Sequence, residues 1–118
     1  MEQEYIKGDI VMYDNRIHTI MDTLELNNYE LSYIRHQVNQ LELSGVPITT
    51  EILEKNGWES INGKYALKIK NANYVELEFT EHGIYAYINE KTMLFTIKYI
   101  HELQHLLFGF GINHEMDV

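Results

Sequence analysis

Three turn signals crowd into residues 58–88 and leave that stretch little conformational freedom: Asn62-Gly63, Asn71-Ala72-Asn73 and His82-Gly83. Asn-Gly supplies the two positive φ angles of a tight hairpin turn, so Ser60 should face Tyr65 and Trp58 should face Leu67. The second turn predicts Lys70 opposite Tyr74, Lys68 opposite Glu76 and Leu67 opposite Leu77. In that register Tyr65, Leu67, Ile69, Val75, Leu77 and Phe79 share one face, and Lys64, Lys68, Lys70, Glu76 and Glu78 share the other. Polarity and register agree, which predicts a four-stranded antiparallel meander with one apolar face. That face needs a cover. Tyr99, Ile100, Leu103, Leu106, Leu107 and Phe110 recur at helical spacing, so residues 93–110 are expected to form an amphipathic helix lying over the meander.

The first third reads differently. Residues 9–13 and 16–22 are rich in Ile, Val, Met and Tyr, and Asp14-Asn15 between them predicts a hairpin. Asn27-Asn28 marks a further turn. Residues 29–43 admit two readings: Leu31, Ile34, Val38 and Leu41 follow a helix period, whereas Tyr29, Leu31 and Tyr33 alternate as in a strand. Their place between turn signals favours strands. Pro47, the single proline, marks a boundary. Thr49 or Thr50 then caps a short helix ending at Asn56-Gly57, because a threonine oxygen can accept from the free amides of the first turn. The expected fold class is α+β. A small curled N-terminal sheet (1–46) precedes a helix–meander–helix unit (47–118).

Composition narrows the chemistry. The chain has 118 residues and no cysteine, so disulfides and thiolate metal sites are excluded. The N-terminus lacks a basic segment followed by an apolar one, and no apolar run approaches a membrane span. A cytoplasmic location is therefore expected. The net charge of -9 argues against general affinity for nucleic acid or anionic membrane and permits a basic partner. Residues 1–57 carry 10 acidic and 4 basic side chains, and residues 58–118 carry 8 and 5. Such even spacing does not resemble a strip mimicking a phosphate backbone, so protein contact is favoured over nucleic-acid mimicry.

One motif looks catalytic. His101-Glu102-Leu103-Gln104-His105 is a His-Glu-x-x-His, whose histidines one helical turn apart can hold zinc while the glutamate serves as base to a metal-bound water. His114 and Glu115 are the nearby candidates for a third ligand, and the resulting alternative is a small zinc-dependent hydrolase. Against it, the apolar arc of the helix centres near Leu103, Leu107 and Phe110, which turns His101 and His105 towards solvent. The extended metzincin pattern also fails, because Phe108 and Gly111 stand where a glycine and a third histidine belong. Lys64, Lys68 and Lys70 form a small basic stripe that Glu76 and Glu78 would neutralise. Trp58 and the nine tyrosines could offer a stacking surface, but most are more simply sheet residues, since tyrosine suits half-buried strands. No nucleotide fingerprint or nucleophile motif is present, and no cofactor is implied.

Two stretches carry a resemblance. Val46-Pro47-Ile48-Thr49-Thr50-Glu51-Ile52-Leu53-Glu54-Lys55-Asn56-Gly57-Trp58 and Tyr99-Ile100-His101-Glu102-Leu103-Gln104-His105-Leu106-Leu107-Phe108 resemble segments of small uncharacterised proteins from Bacteroidetes genomes, their prophages and mobile elements. Gly8-Asp9-Ile10-Val11-Met12-Tyr13 looks like the first strand of their curled sheet. The resemblance implies an SH3-like N-terminal sheet followed by helix, meander and helix. It also implies that His105 is a local substitution, since those proteins commonly carry asparagine there. The expected function is therefore a non-enzymatic interaction protein of a phage or mobile element, in its sharper form an anti-CRISPR inhibitor of a defence nuclease. The expected partner is a host protein, with a CRISPR effector nuclease or its ribonucleoprotein as the specific candidate, and neither sequence-specific nucleic-acid binding nor membrane contact is expected. Candidate interaction residues are His101, Glu102, His105, Lys64, Lys68 and Trp58.

Overall fold

The computed structural model describes residues 5–68, 74–88, 92–111 and 115–118. It is an α+β fold with a curled antiparallel half-barrel sheet, a second antiparallel sheet and two α-helices. The chain forms two compact units: Met1–Pro47 with Tyr99–Met116, and Ile48–Lys98 with Asp117–Val118. This division differs from the expected one at residue 47, because the C-terminal helix groups with the N-terminal sheet.

In the first unit, β1 (Ile10–Tyr13) and β2 (Arg16–Thr23) pair around Asp14 and Asn15, both at positive φ as the sequence suggests. Strands β3 (Asn28–Leu31) and β4 (Val38–Asn39) continue the sheet, and β5 (Ser44–Gly45) returns to the free edge of β1, giving the order β4-β3-β2-β1-β5. The ambiguous segment is thus strand, followed by a 3-10 turn at Gln40–Glu42. Alternation wins there because Tyr29, Leu31 and Val38 enter one core with Tyr5, Val11 and Ile20. Leu41, which a helix would have turned inward with them, is exposed.

The helix α2 (Ile100–Gly109) completes this unit. Pro47 and Tyr99 form an isolated antiparallel bridge, and the Ile100 amide donates to the Val46 carbonyl at 2.8 Å. Gly45 permits that approach: a Cβ there would lie 2.4 Å from Cγ of Tyr99.

In the second unit, α1 (Thr50–Lys55) is capped by Thr49, whose hydroxyl accepts from the Ile52 amide at 3.2 Å. Gly57, at φ 86°, turns the chain out of the helix, and the Trp58 amide donates back to the Leu53 carbonyl. Strands β6 (Glu59–Ile61), β7 (Lys64–Lys68), β8 (Tyr74–Thr80), β9 (Gly83–Ile88) and β10 (Thr92–Ile97) then form a meander of five strands rather than four. Residues 93–97, expected as the start of the last helix, are strand. Their run of aromatic and branched residues suits a sheet edge, and the helical period begins only at Ile100.

Ser60 faces Tyr65 as expected, but Lys68 faces Tyr74 and Leu67 faces Val75, a slip of two residues from the predicted register. Because strand faces alternate with a period of two, the slip leaves the described side chains of β7 and β8 on their anticipated faces. It also sets Ala66, the smallest residue of β7, opposite Glu76, whose side chain is buried. Val75, Leu77, Ile84, Ala86 and Ile97 are buried on the apolar face. Ile69, Lys70, the Asn71-Ala72-Asn73 turn and His114 lie outside the described residues. No described helix is long and apolar enough to cross a membrane.

Candidate functional site

The His-Glu-x-x-His segment occupies the first two turns of α2, and each of its three defining side chains is engaged within the first unit. Glu102 is the third helical residue. Its Oε1 accepts from the Tyr99 amide at 2.9 Å, satisfying the free amide at the start of the helix. His101 is 8% exposed, not turned to solvent. Its ring stacks on Tyr99 at 5.7 Å and meets Tyr5 edge-on at 4.9 Å. His105 is half-buried, and its Nε2–H donates to Oδ2 of Asp9 at 2.7 Å.

The expectation that both histidines face outward is therefore corrected. The wheel fails because polar residues of α2 also serve the interior. Gln104 is fully buried: Oε1 accepts from the Ile10 amide at 2.8 Å, and Nε2 donates to the Gly8 carbonyl at 2.9 Å. One side-chain amide thus replaces the neighbouring strand that these backbone groups lack where β1 begins. Together with Ile100, Leu103 and Leu107, it widens the buried arc beyond the apolar residues alone.

Asp9 is the other half of this arrangement and carried no signal in the sequence. Its carboxylate is fully buried, and Oδ2 accepts from both His105 and the Ile6 amide at 2.8 Å. The bond to Asp9 raises the pKa of His105 above the ordinary histidine value, overcoming the opposing effect of partial burial. A zinc site would require Nε2 of His105 and the Glu102 carboxylate to give up these bonds. Among the described residues, no group of three potential ligands is placed to hold a metal. Glu115, one proposed third ligand, is exposed.

The remaining sequence candidates lie in the second unit. Trp58 is buried beside α1 and offers no stacking surface. Lys64 sits 4.9 Å above the ring of Tyr87, whose hydroxyl donates to Glu78 at 2.9 Å. That hydrogen bond raises the pKa of the tyrosine. Lys68 is exposed at a half-open cleft of about 530 Å³, which it borders with Glu59, Tyr74 and Glu76.

Features that sequence reasoning missed lie at the turns of the first unit. The β2–β3 turn is centred on Leu26 and Asn27, both at φ 59°, and closes with the Asn28 amide on the Glu25 carbonyl. This is the sign pattern of a type I′ turn, displaced by one residue from the expected Asn27-Asn28. Leucine is a poor occupant of such a position, yet Leu26 is 86% exposed. Tyr33, at φ 65°, is 97% exposed. Among the described residues, the other non-glycine positions with positive φ are all Asn or Asp. A large side chain with positive φ was the missing signal, and it becomes visible only with the backbone angles.

Comparison of the chain with family models, with curated proteins and with solved structures finds no match in any of the three.

Proposed function

We propose that the chain is a non-enzymatic protein-binding module of a phage or mobile element. In its sharper form it inhibits a host defence nuclease of the CRISPR type, acting by protein contact in the bacterial cytoplasm. The observation that carries this reading is the display of Leu26, Tyr33 and Leu41 at turns of the first unit, each at least 79% exposed. Two of the three hold a left-handed backbone that strains a large residue, and local strain of this kind is characteristic of functional surfaces. The acidic excess of residues 1–57 supports a basic partner surface, because complementary charge speeds encounter and suppresses wrong pairings. The strand order of the first sheet, in which β1 pairs with both β2 and β5, supports the SH3-like form that the resemblance implies.

The test is affinity capture on the immobilised chain from bacteria expressing guided defence nucleases. Recovery of an effector or its ribonucleoprotein, with loss of its cleavage activity in the purified mixture, is expected. Capture of no nuclease would remove the inhibitor reading.

A further inference from the structure

We propose that Leu26 and Leu41 form a two-leucine docking knob for a partner whose apolar pocket is rimmed by Lys or Arg side chains. The inference deepens the protein-binding reading and rests on it.

The backbones of the two leucines are tied to one side chain. Nδ2 of Asn39 donates to the Leu26 carbonyl at 3.5 Å, while Oδ1 of the same amide accepts from the Leu41 amide at 3.0 Å. Asn39 also donates to Oδ1 of Asn28 at 3.1 Å, and its own amide donates to Glu42 at 3.1 Å, completing a capping box. The backbones of both leucine turns are therefore fixed before any partner arrives. Preorganisation of this kind lowers the entropy lost on binding. The side chains themselves gain little within the molecule, being 86% and 79% exposed.

The charge around the knob selects the partner. Glu25 and Glu42 adjoin the two leucines in sequence, and both are exposed. Asp22 and Glu30 face each other directly across β2 and β3, a like-charge pairing that disfavours the sheet. A register irregularity in β2 between Ile20 and Asp22 lies beside them. Arg16 opens β2 and Arg35 follows β3, both away from the β2–β3 turn, and Lys7 precedes Gly8, whose amide donates to the Ile20 carbonyl, as the one cation towards the Asp22 end of β2. The knob end thus presents two leucines among four carboxylates. An apolar pocket edged with cations buries the leucines and relieves the Asp22–Glu30 repulsion in one step. A second copy of this chain would bring the same four carboxylates against themselves.

The strain at Leu26 supplies a discriminating variant. Asparagine accepts a left-handed backbone far better than leucine. Leu26→Asn is therefore expected to raise the melting temperature by about 3 °C while weakening binding. A residue held there for stability would behave in the opposite way.

The probe is a short amphipathic helical peptide of leucine and lysine, with its leucine–glutamate counterpart as control, titrated into the 15N-labelled full chain. Expected are shifts centred on Leu26, Leu41 and Asn39 with the lysine peptide and none with the glutamate peptide. Leu26→Asn with Leu41→Ser should weaken binding at least about tenfold. Shifts elsewhere, equal response to both peptides, or unchanged affinity in the double variant overturns the knob. So does concentration-dependent self-association that the double variant abolishes, which would assign the surface to a second copy. An effector captured equally well by the double variant would remove the knob and leave the protein-binding reading standing; capture of nothing by the unaltered chain would remove that reading itself.

Discussion

The two sheets have five strands each and are held together in different ways. The second is a meander in which a period of two sets the faces, although Glu76 is buried and the register shifts between Met93 and Phe95, and Asn62-Gly63 and Gly83 carry turns. The first depends on polar groups far apart in the chain, Gln104 on the backbone of Gly8 and Ile10 and His105 on Asp9, and on the nearer bond of Tyr29 to Gln40. It also breaks local preferences that the second respects, placing leucine and tyrosine at positive φ and two carboxylates face to face. The difference teaches where to look for function. A region whose interior needs specific polar partners, and whose turns defy residue preference, carries constraints that folding alone does not explain.

The sharpest way to break the comparison is to remove the polar tie. Gln104→Leu keeps the bulk but leaves the buried Ile10 amide and the partly buried Gly8 carbonyl without this partner, and should lower stability by about 2–4 kcal/mol in urea unfolding. A loss below about 1 kcal/mol would mean that the first sheet is held by apolar packing like the second. Next comes Gly45→Ala, which forces a Cβ into Tyr99 and should cost about 1–3 kcal/mol by the same measurement.

A third prediction concerns pH. The folded pKa of His105 is raised, so the contribution of its bond to Asp9 is complete below the unfolded value of about 6.5 and is lost as pH rises through the folded value. The unfolding midpoint of the unaltered chain should therefore fall relative to His105→Gln on going from about pH 6 to pH 8. Parallel curves would show that the bond contributes nothing that depends on charge. The smallest effect is expected in the second unit. Lys64→Met removes a surface cation from the Tyr87 ring and should change stability by no more than about 1 kcal/mol.

Legibility in the sequence depended on distance along the chain rather than on the unit. The helix cap at Thr49, the Asp14-Asn15 hairpin and the face assignments of β7 and β8 could be read because each depends on neighbours in sequence or on a period of two. The two-residue slip between β7 and β8 could not, because faces alone do not distinguish registers that differ by an even number. The outward placement of His101 and His105 failed for a physical reason: a helical wheel treats histidine and glutamine as solvent-facing, whereas Asp9, Gly8 and Ile10 offered them buried partners more than 90 residues away. Leu26 and Leu41 gave no signal as a pair, since what ties their backbones is the amide of Asn39.

The central claim is that the His-Glu-x-x-His segment holds the first unit together rather than a metal. Zinc titration of chelator-free protein, followed by 15N NMR of the histidine rings, tests it most directly. The expected result is a His105 Nε2 that keeps its proton and its bond to Asp9, with no stoichiometric zinc uptake. The contradicting result is one zinc per chain, with the ring nitrogens of His101 and His105 both shifted and the bond to Asp9 lost.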